Sequence, residues 1–147
     1  MRKILFVCTG NTCRSPMAEI IMKNKVKSAG FTDIRVTSAG LSAEVGAKMS
    51  ENSFKALKAL GLKPYGFKSK QLTKKMVLSA DVTICMTESH KRALVGFLDV
   101  RTIGELSGLG DIKDPYGQSL EVYVETSRQI NDACEVILQK IIRQEGE

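Results

Sequence analysis

A thiol and a guanidinium flank one short stretch near the start of the chain. Cys8 is followed by five residues, Thr9-Gly10-Asn11-Thr12-Cys13, and then by Arg14 and Ser15. The apolar run Ile4-Leu5-Phe6-Val7 leads into Cys8, and a helical apolar pattern begins at Pro16. This order reads as a buried strand, a tight loop and a helix N-terminus, where proline is at home because its missing N–H has no intrahelical partner. Successive N–H groups in such a loop can wrap the three equatorial oxygens of a phosphoryl group. Arg14 adds a planar, permanently charged fork. A thiol in that positive field is favoured as thiolate, and a thiolate beneath a bound phosphoryl group is in line for attack at phosphorus. Gly10 is expected to let the backbone bend where a side chain would obstruct it. Ser15 can donate a hydrogen bond to the sulfur and ease its later departure. A lone cysteine would read as strand-end packing. Spacing, Arg14, Ser15 and the strand-loop-helix context together turn the reading to chemistry.

Attack by Cys8 needs a leaving group that departs with a proton. A carboxylic acid can supply that proton and then act as base toward water. Asp114 is the candidate, in a loop before Pro115 and ahead of a helix, with Asp111 as the neighbouring alternative. Taken alone, Asp114-Pro115-Tyr116-Gly117 is also ordinary turn composition. Tyr116 either stands at the rim and stacks on a substrate side chain or packs on its own loop. Cys13 is either the partner of Cys8 in a reversible disulfide that guards against over-oxidation, or a thiol packed beneath the loop.

The stretch from Phe6 to Glu19 resembles the low-molecular-weight protein phosphatases, whose N-terminal signature is Cys, five residues, Arg and Ser at the end of the first strand. The resemblance extends to Thr37-Ser38-Ala39-Gly40 and to Asp114-Pro115-Tyr116-Gly117, and so spans the chain. It implies a phosphocysteine enzyme with Cys8, Arg14 and Asp114 as catalytic residues. Thr9, Gly10, Asn11, Thr12, Cys13, Ser15 and Tyr116 would then bind substrate, with Ser38 and Asn11 bracing the loop. No metal or other cofactor is implied. Phosphorylated proteins would be the partners and inorganic phosphate a product. The family commonly places a histidine in the bracing network near the position of Phe67, which leaves the details of that network here open.

Thr12 bears on the substrate. Members that act on phosphotyrosine typically carry Ile there, and those resembling bacterial protein-arginine phosphatases carry Thr. A hydroxyl can serve a guanidinium or position water, whereas an Ile packs an aryl ring but leaves guanidinium N–H groups unpaired. Unpaired buried donors cost about 1–3 kcal/mol each, enough to shift preference by roughly ten- to a hundredfold. The expectation is a phosphoarginine or phosphotyrosine phosphatase, leaning to phosphoarginine, with an ordinary tyrosine phosphatase as the alternative. A thiol-dependent arsenate reductase would need resolving cysteines that Cys85 and Cys134 are poorly placed to provide. A non-catalytic phosphate-binding module would have no use for both thiol and acid.

These groups need a scaffold. Strands are expected over residues 2–8, 34–38, 81–86 and 99–103. Helices are expected over 16–29, 51–60, a short stretch capped by Thr73, a stretch from Thr87 to Val95, and a last one opened by Ser119. Residues 105–113 read as a glycine-rich loop. Alternation of strand and helix argues an α/β fold, a doubly wound, Rossmann-like sheet of four parallel strands with helices on both faces. Ligands bind such sheets at the strand C-terminal edge, where the loop after Cys8 falls.

The composition fits this scaffold. At 147 residues the chain is expected to form one domain, residues 1–147, and 43% hydrophobic content is ordinary for a globular protein. The net charge of +6 is spread out, with small clusters at Lys68/Lys70 and Lys74/Lys75, and aromatics are only 5%, so no nucleic-acid surface is indicated. No apolar run approaches the ~20 residues of a membrane span. Met1-Arg2-Lys3 and the short run behind it are too brief for a secretory leader. With a working thiol, this points to the cytoplasm. There is no C-x-x-C pair, and His90, the one histidine, is expected on the surface, so a structural zinc site is not indicated. Cys85 and Cys134 are expected in the core.

Overall fold

The computed structural model describes residues 2–146. Its elements are β1 (Arg2–Cys8), α1 (Arg14–Ser28), β2 (Ile34–Gly40), α2 (Glu51–Ala59), α3 (Lys74–Ser79), β3 (Val82–Cys85), α4 (Glu88–Arg92), β4 (Val100–Thr102), α5 (Ile103–Ser107) and α6 (Leu120–Gly146). The four strands form one parallel sheet in the order β2-β1-β3-β4. The chain steps from β1 outward to β2, then crosses back over β1 to build β3 and β4. The C-terminal end of β1 therefore lies where the winding direction reverses, the point at which such sheets open a crevice for ligands.

The alternation of side chains along β1 explains the two layers. Ile4, Phe6 and Cys8 face a core shared with Met17, Ile21, Leu57, Ile130, Cys134 and Ile137, contributed by α1, α2 and α6. Leu5 and Val7 face the opposite way, onto Val77, Cys85, Leu94 and Val100. Both faces are covered, so β1 reads as a continuous apolar run. Phe6 is fully buried, and burial of such a side chain contributes about 1.5–3 kcal/mol. Cys85 and Cys134 lie in these cores, where burial pushes each thiol up to about 12.

The doubly wound sheet matches the expectation, with adjusted boundaries. α1 begins at Arg14 rather than Pro16, so Arg14 and Ser15 sit in its first turn. β2 runs on to Gly40, held by a bridge to Gln71. Thr73 and Thr87 cap α3 and α4 by accepting from Met76 N–H and His90 N–H. Ser119 Oγ accepts from Val122 N–H at the head of α6. α4 stops at Arg92, short of Val95. One expectation fails outright: the stretch read as a glycine-rich loop from Glu105 is partly helical. Thr102 and Glu105 form a capping box that starts α5, and Gly108, at φ 76°, ends it. No helix of the described residues is long and apolar enough to cross a membrane.

Candidate active site

The loop after Cys8 is held from outside by its carbonyls. Cys8 O accepts from Leu41 N–H (3.0 Å), Thr9 O from Ser42 N–H (2.9 Å), Thr12 O from Ser50 N–H (2.9 Å) and Cys13 O from Met17 N–H (3.2 Å). Asn11 O accepts from Ser69 Oγ at 2.6 Å. Because N–H and C=O of a trans peptide point in opposite directions, outward carbonyls turn the N–H groups inward. Among the described residues, none of the backbone N–H groups of residues 9–15 donates to a protein acceptor. They converge with the free first turn of α1, whose cap residue Cys13 makes no side-chain capping bond. The result is a ring of donors at a helix N-terminus, the arrangement that binds an anion.

Asn11 locks this shape. It is fully buried and takes up φ 57°, a left-handed conformation that Asn tolerates better than most residues. Lys70 N–H donates to its Oδ1 at 2.9 Å, which fixes which end of the amide is Nδ2. That Nδ2 donates to Ser15 Oγ and to Ser38 Oγ, both at 2.9 Å. Ser38 Oγ donates in turn to Glu19 Oε1 at 2.8 Å, and Glu19 is paired with Lys23 at 2.9 Å. With one side of Ser15 Oγ occupied by the Asn11 donor, the Ser15 hydroxyl hydrogen is left for Cys8 Sγ, 2.8 Å away. A chain of donors anchored on a buried carboxylate therefore ends as a hydrogen bond to the sulfur.

Phe67 takes no part in this bracing and packs against the core instead. Ser69 and the Lys70 backbone hold the loop from that segment. Gly10 corrects another expectation. Its φ is not positive, and a Cβ there would meet nothing nearer than Thr12 Oγ1 at 3.7 Å. The glycine that the loop requires is Gly40, where a Cβ would lie 2.6 Å from Thr9 O and 2.9 Å from Asn11 N.

Arg14 is buried in the first turn of α1, its Nη1 donating to Ile112 O at 3.0 Å. Its Nη2 lies 3.7 Å from Asp114 Oδ2. Asp114 is half exposed, and its Oδ1 accepts from Tyr116 N–H at 3.1 Å. Asp111 is instead engaged by Glu88 N–H at the start of α4, so of the two aspartates Asp114 is the one set against Arg14. Tyr116 is a surface residue, 77% exposed. Among the described residues the hydrogen-bond partner of Thr12 Oγ1 is a distant one, Cys13 Sγ at 3.8 Å. Cys13 is a packed thiol facing Ser50 Oγ (3.5 Å) and Tyr123 OH (3.4 Å), and burial together with that contact pushes the Tyr123 hydroxyl up to about 12.

His90 corrects the expectation of a surface residue. It is buried, with Nε2 3.0 Å from Thr9 Oγ1 and Nδ1 3.1 Å from Thr87 Oγ1. Burial first, and the Arg14 guanidinium second, lower it to about 4, against the opposing pull of Asp114 and Asp111. The ring is neutral at physiological pH. The sequence alone assigns no role to Tyr123 or Glu19. Glu19 lies one turn beyond Ser15 on the same helix, a local signal. Tyr123 is 110 positions from Cys13 and leaves no local trace.

Comparison with known proteins gives the family. The model of the low molecular weight phosphotyrosine protein phosphatase family matches residues 3–146. A protein-arginine-phosphatase of Bacillus subtilis is 35% identical, over 96% of this chain and 95% of its own. A low molecular weight protein-tyrosine-phosphatase, PtpB, of Staphylococcus haemolyticus is 38% identical, over 87% of this chain and 91% of its own. Among solved structures, a Cys-to-Ser mutant of the YwlE arginine phosphatase, with a phosphorylated active-site serine, superposes with a TM-score of 0.89 at 32% identity and covers 95% of each chain. The chain belongs to the low molecular weight phosphotyrosine protein phosphatase family.

Proposed function

We propose that this chain hydrolyses phosphoarginine on proteins through a phosphocysteine intermediate. The observation that carries the chemistry is the loop of residues 9–15, whose backbone N–H groups have no protein acceptor among the described residues and which ends at Ser15, with Oγ 2.8 Å from Cys8 Sγ. The Cys8 thiolate attacks phosphorus and forms an S–P bond, while the bond from phosphorus to the leaving nitrogen breaks. Asp114 gives its proton to that nitrogen. The backbone donors and Arg14 hold the equatorial oxygens and offset the charge of the transition state. Water then attacks phosphorus and gives a proton to Asp114, and the S–P bond breaks. Ser15 donates to the departing sulfur. The phosphorylated active-site serine of the YwlE mutant supports a phosphoryl group carried on the nucleophile's position. Replacement of Cys8 by Ser is expected to abolish turnover and to leave phosphate binding in place. Turnover near the native rate in C8S would refute the covalent scheme.

The lean to phosphoarginine rests on Thr12, whose hydroxyl has no nearer hydrogen-bond partner among the described residues than a sulfur at 3.8 Å and is available to a substrate N–H. One observation favours phosphotyrosine: Tyr116, two residues after Asp114, is exposed and free to stack on an aryl ring. Hydrolysis of a phosphoarginine peptide and a phosphotyrosine peptide by the native protein and by T12I separates the two. Preference for phosphoarginine that T12I reverses supports the first reading, and preference for phosphotyrosine in both proteins supports the second. Reduction of arsenate is disfavoured because Cys85 and Cys134, the thiols outside the loop, are buried and held protonated. A free nucleophilic thiol is best kept in a reducing compartment, which favours the cytoplasm.

A further inference from the structure

The proposed mechanism uses the backbone of Thr9 but not its hydroxyl, and it does not use His90 at all. Thr9 is the residue after the nucleophile, and it is exposed. Its carbonyl is fixed by Ser42 N–H and its Oγ1 by His90 Nε2, so neither end of the residue is loose. His90 is held in turn at Nδ1 by Thr87 Oγ1, and Thr87 Oγ1 also accepts from His90 N–H as the cap of α4.

A neutral imidazole has one N–H and one lone pair. When Thr87 gives its hydroxyl hydrogen to Nδ1, Nε2 carries the ring proton and donates it to Thr9 Oγ1. The hydrogen of Thr9 is then free for an acceptor in the loop. The opposite tautomer draws the Thr9 hydrogen back toward the ring. A dianionic phosphoryl group in the loop selects the first arrangement, because a hydroxyl donates more strongly to a charged oxygen than to a neutral nitrogen.

We propose that the Thr9 hydroxyl is a further donor to the phosphoryl group, and that His90 is the positioning residue that turns it there. The inference rests on the reading of the loop as a phosphoryl cradle. It adds a side-chain donor to the backbone ring and gives buried His90 a role in the site.

The test uses inorganic phosphate as a competitive inhibitor of p-nitrophenyl phosphate hydrolysis by the full chain. T9V, which keeps the shape and removes the hydroxyl, is expected to weaken phosphate inhibition about tenfold, the effect of one hydrogen bond to a charged group. T9S should restore it to within about threefold. H90F should weaken inhibition in the native background and add nothing in the T9V background, while H90Q, whose amide nitrogen can replace Nε2, should restore much of the loss. Stability is followed by thermal unfolding, and if H90F does not fold, T9V, T9S and H90Q carry the comparison. Phosphate inhibition within twofold of native in T9V overturns the inference, as does an equal loss from H90F with and without the Thr9 hydroxyl. A native protein that neither hydrolyses p-nitrophenyl phosphate nor binds phosphate would overturn the cradle reading and this inference with it. A competent native protein with an unaffected T9V would overturn this inference alone.

Discussion

Gly40 ends β2 against the back of the phosphate loop, and Gly40→Ala is the substitution that tests most directly how the loop is shaped. The backbone at Gly40 lies outside the left-handed region, so alanine meets no conformational penalty there and the effect is purely one of contact. Its Cβ would lie 2.6 Å from Thr9 O, 2.9 Å from Asn11 N and 3.0 Å from Gly10 C, where ordinary contact begins near 3.4 Å. Relief of the worst contact requires about 0.8 Å of movement, the difference between 3.4 and 2.6 Å. All three atoms are backbone, and Thr9 O and Asn11 O are tied to Ser42 and Ser69, so the loop cannot yield by a rotamer change. Over-packing of this kind costs about 1–3 kcal/mol, which for a chain of this size lowers the melting temperature by roughly 2–12 °C. Catalysis should suffer more. A misplacement near 1 Å in an active site costs about a hundredfold, so kcat/KM for p-nitrophenyl phosphate is expected to fall roughly ten- to a hundredfold. The assay is steady-state hydrolysis well below the variant's own melting temperature, with Gly10→Ala as the steric control for stability. A G40A protein with kcat/KM within twofold of native and an unchanged melting temperature would show that the close approach of β2 does not set the loop.

His90 also makes stability depend on pH. Its ring is lowered to about 4 in the fold from 6.5 in the unfolded chain, so between those values the unfolded chain binds more protons and stability rises with pH. The contribution is lost as pH falls from 6.5 toward 4. It amounts to as much as about 3 kcal/mol and to about 2 kcal/mol by pH 5. Urea unfolding at pH 7 and at pH 5 should show that extra loss in the native protein and not in H90Q, and equal losses in both would refute it. Asp114→Asn keeps the shape of the side chain and removes the proton donor, so kcat should fall by about a hundredfold or more. An unchanged kcat would return the role to another group. Brief iodoacetamide treatment of the folded protein should spare Cys85 and Cys134, which are fully buried and held near 12. Peptide mapping that found either one modified as fast as Cys8 would contradict the core placement.

The parts of the fold that were legible in the sequence are those set by local chemistry. An apolar run into Cys8, threonines before short helices, and a long helical repeat from Ile130 to Ile142 each carry their own signal. α5 was missed although its signal was present. Thr102 and Glu105 have the spacing of a capping box, set among Gly104, Gly108 and Gly110. Gly104 is there because a Cβ would lie 2.8 Å from the Gly110 backbone, a contact between two residues of the same stretch that reads as looseness in one dimension. His90 was misplaced because a five-residue helix has too few turns to show a buried face. The ring's partner at Nε2 is Thr9, 81 positions away in sequence.

The same distinction applies inside the site. The motif from Cys8 to Ser15 names the chemical groups, but the cradle is made by residues far from it. Leu41, Ser42, Ser50, Ser69 and Lys70 supply the bonds that turn the loop outside in, and all five lie in connections between elements, where neither 3.6- nor 2-residue periodicity exists to mark them. Asn11 converts that remote support into direction. Lys70 fixes its amide, the amide fixes Ser15, and Ser15 faces the sulfur. The identity of Lys70 is immaterial to this step because only its backbone N–H takes part, so no residue type at that position could have revealed it. A sequence can announce a nucleophile by its neighbours; the donors that prepare it for attack are main-chain groups whose placement exists only once β1, β2 and the segment around Ser69 have packed together.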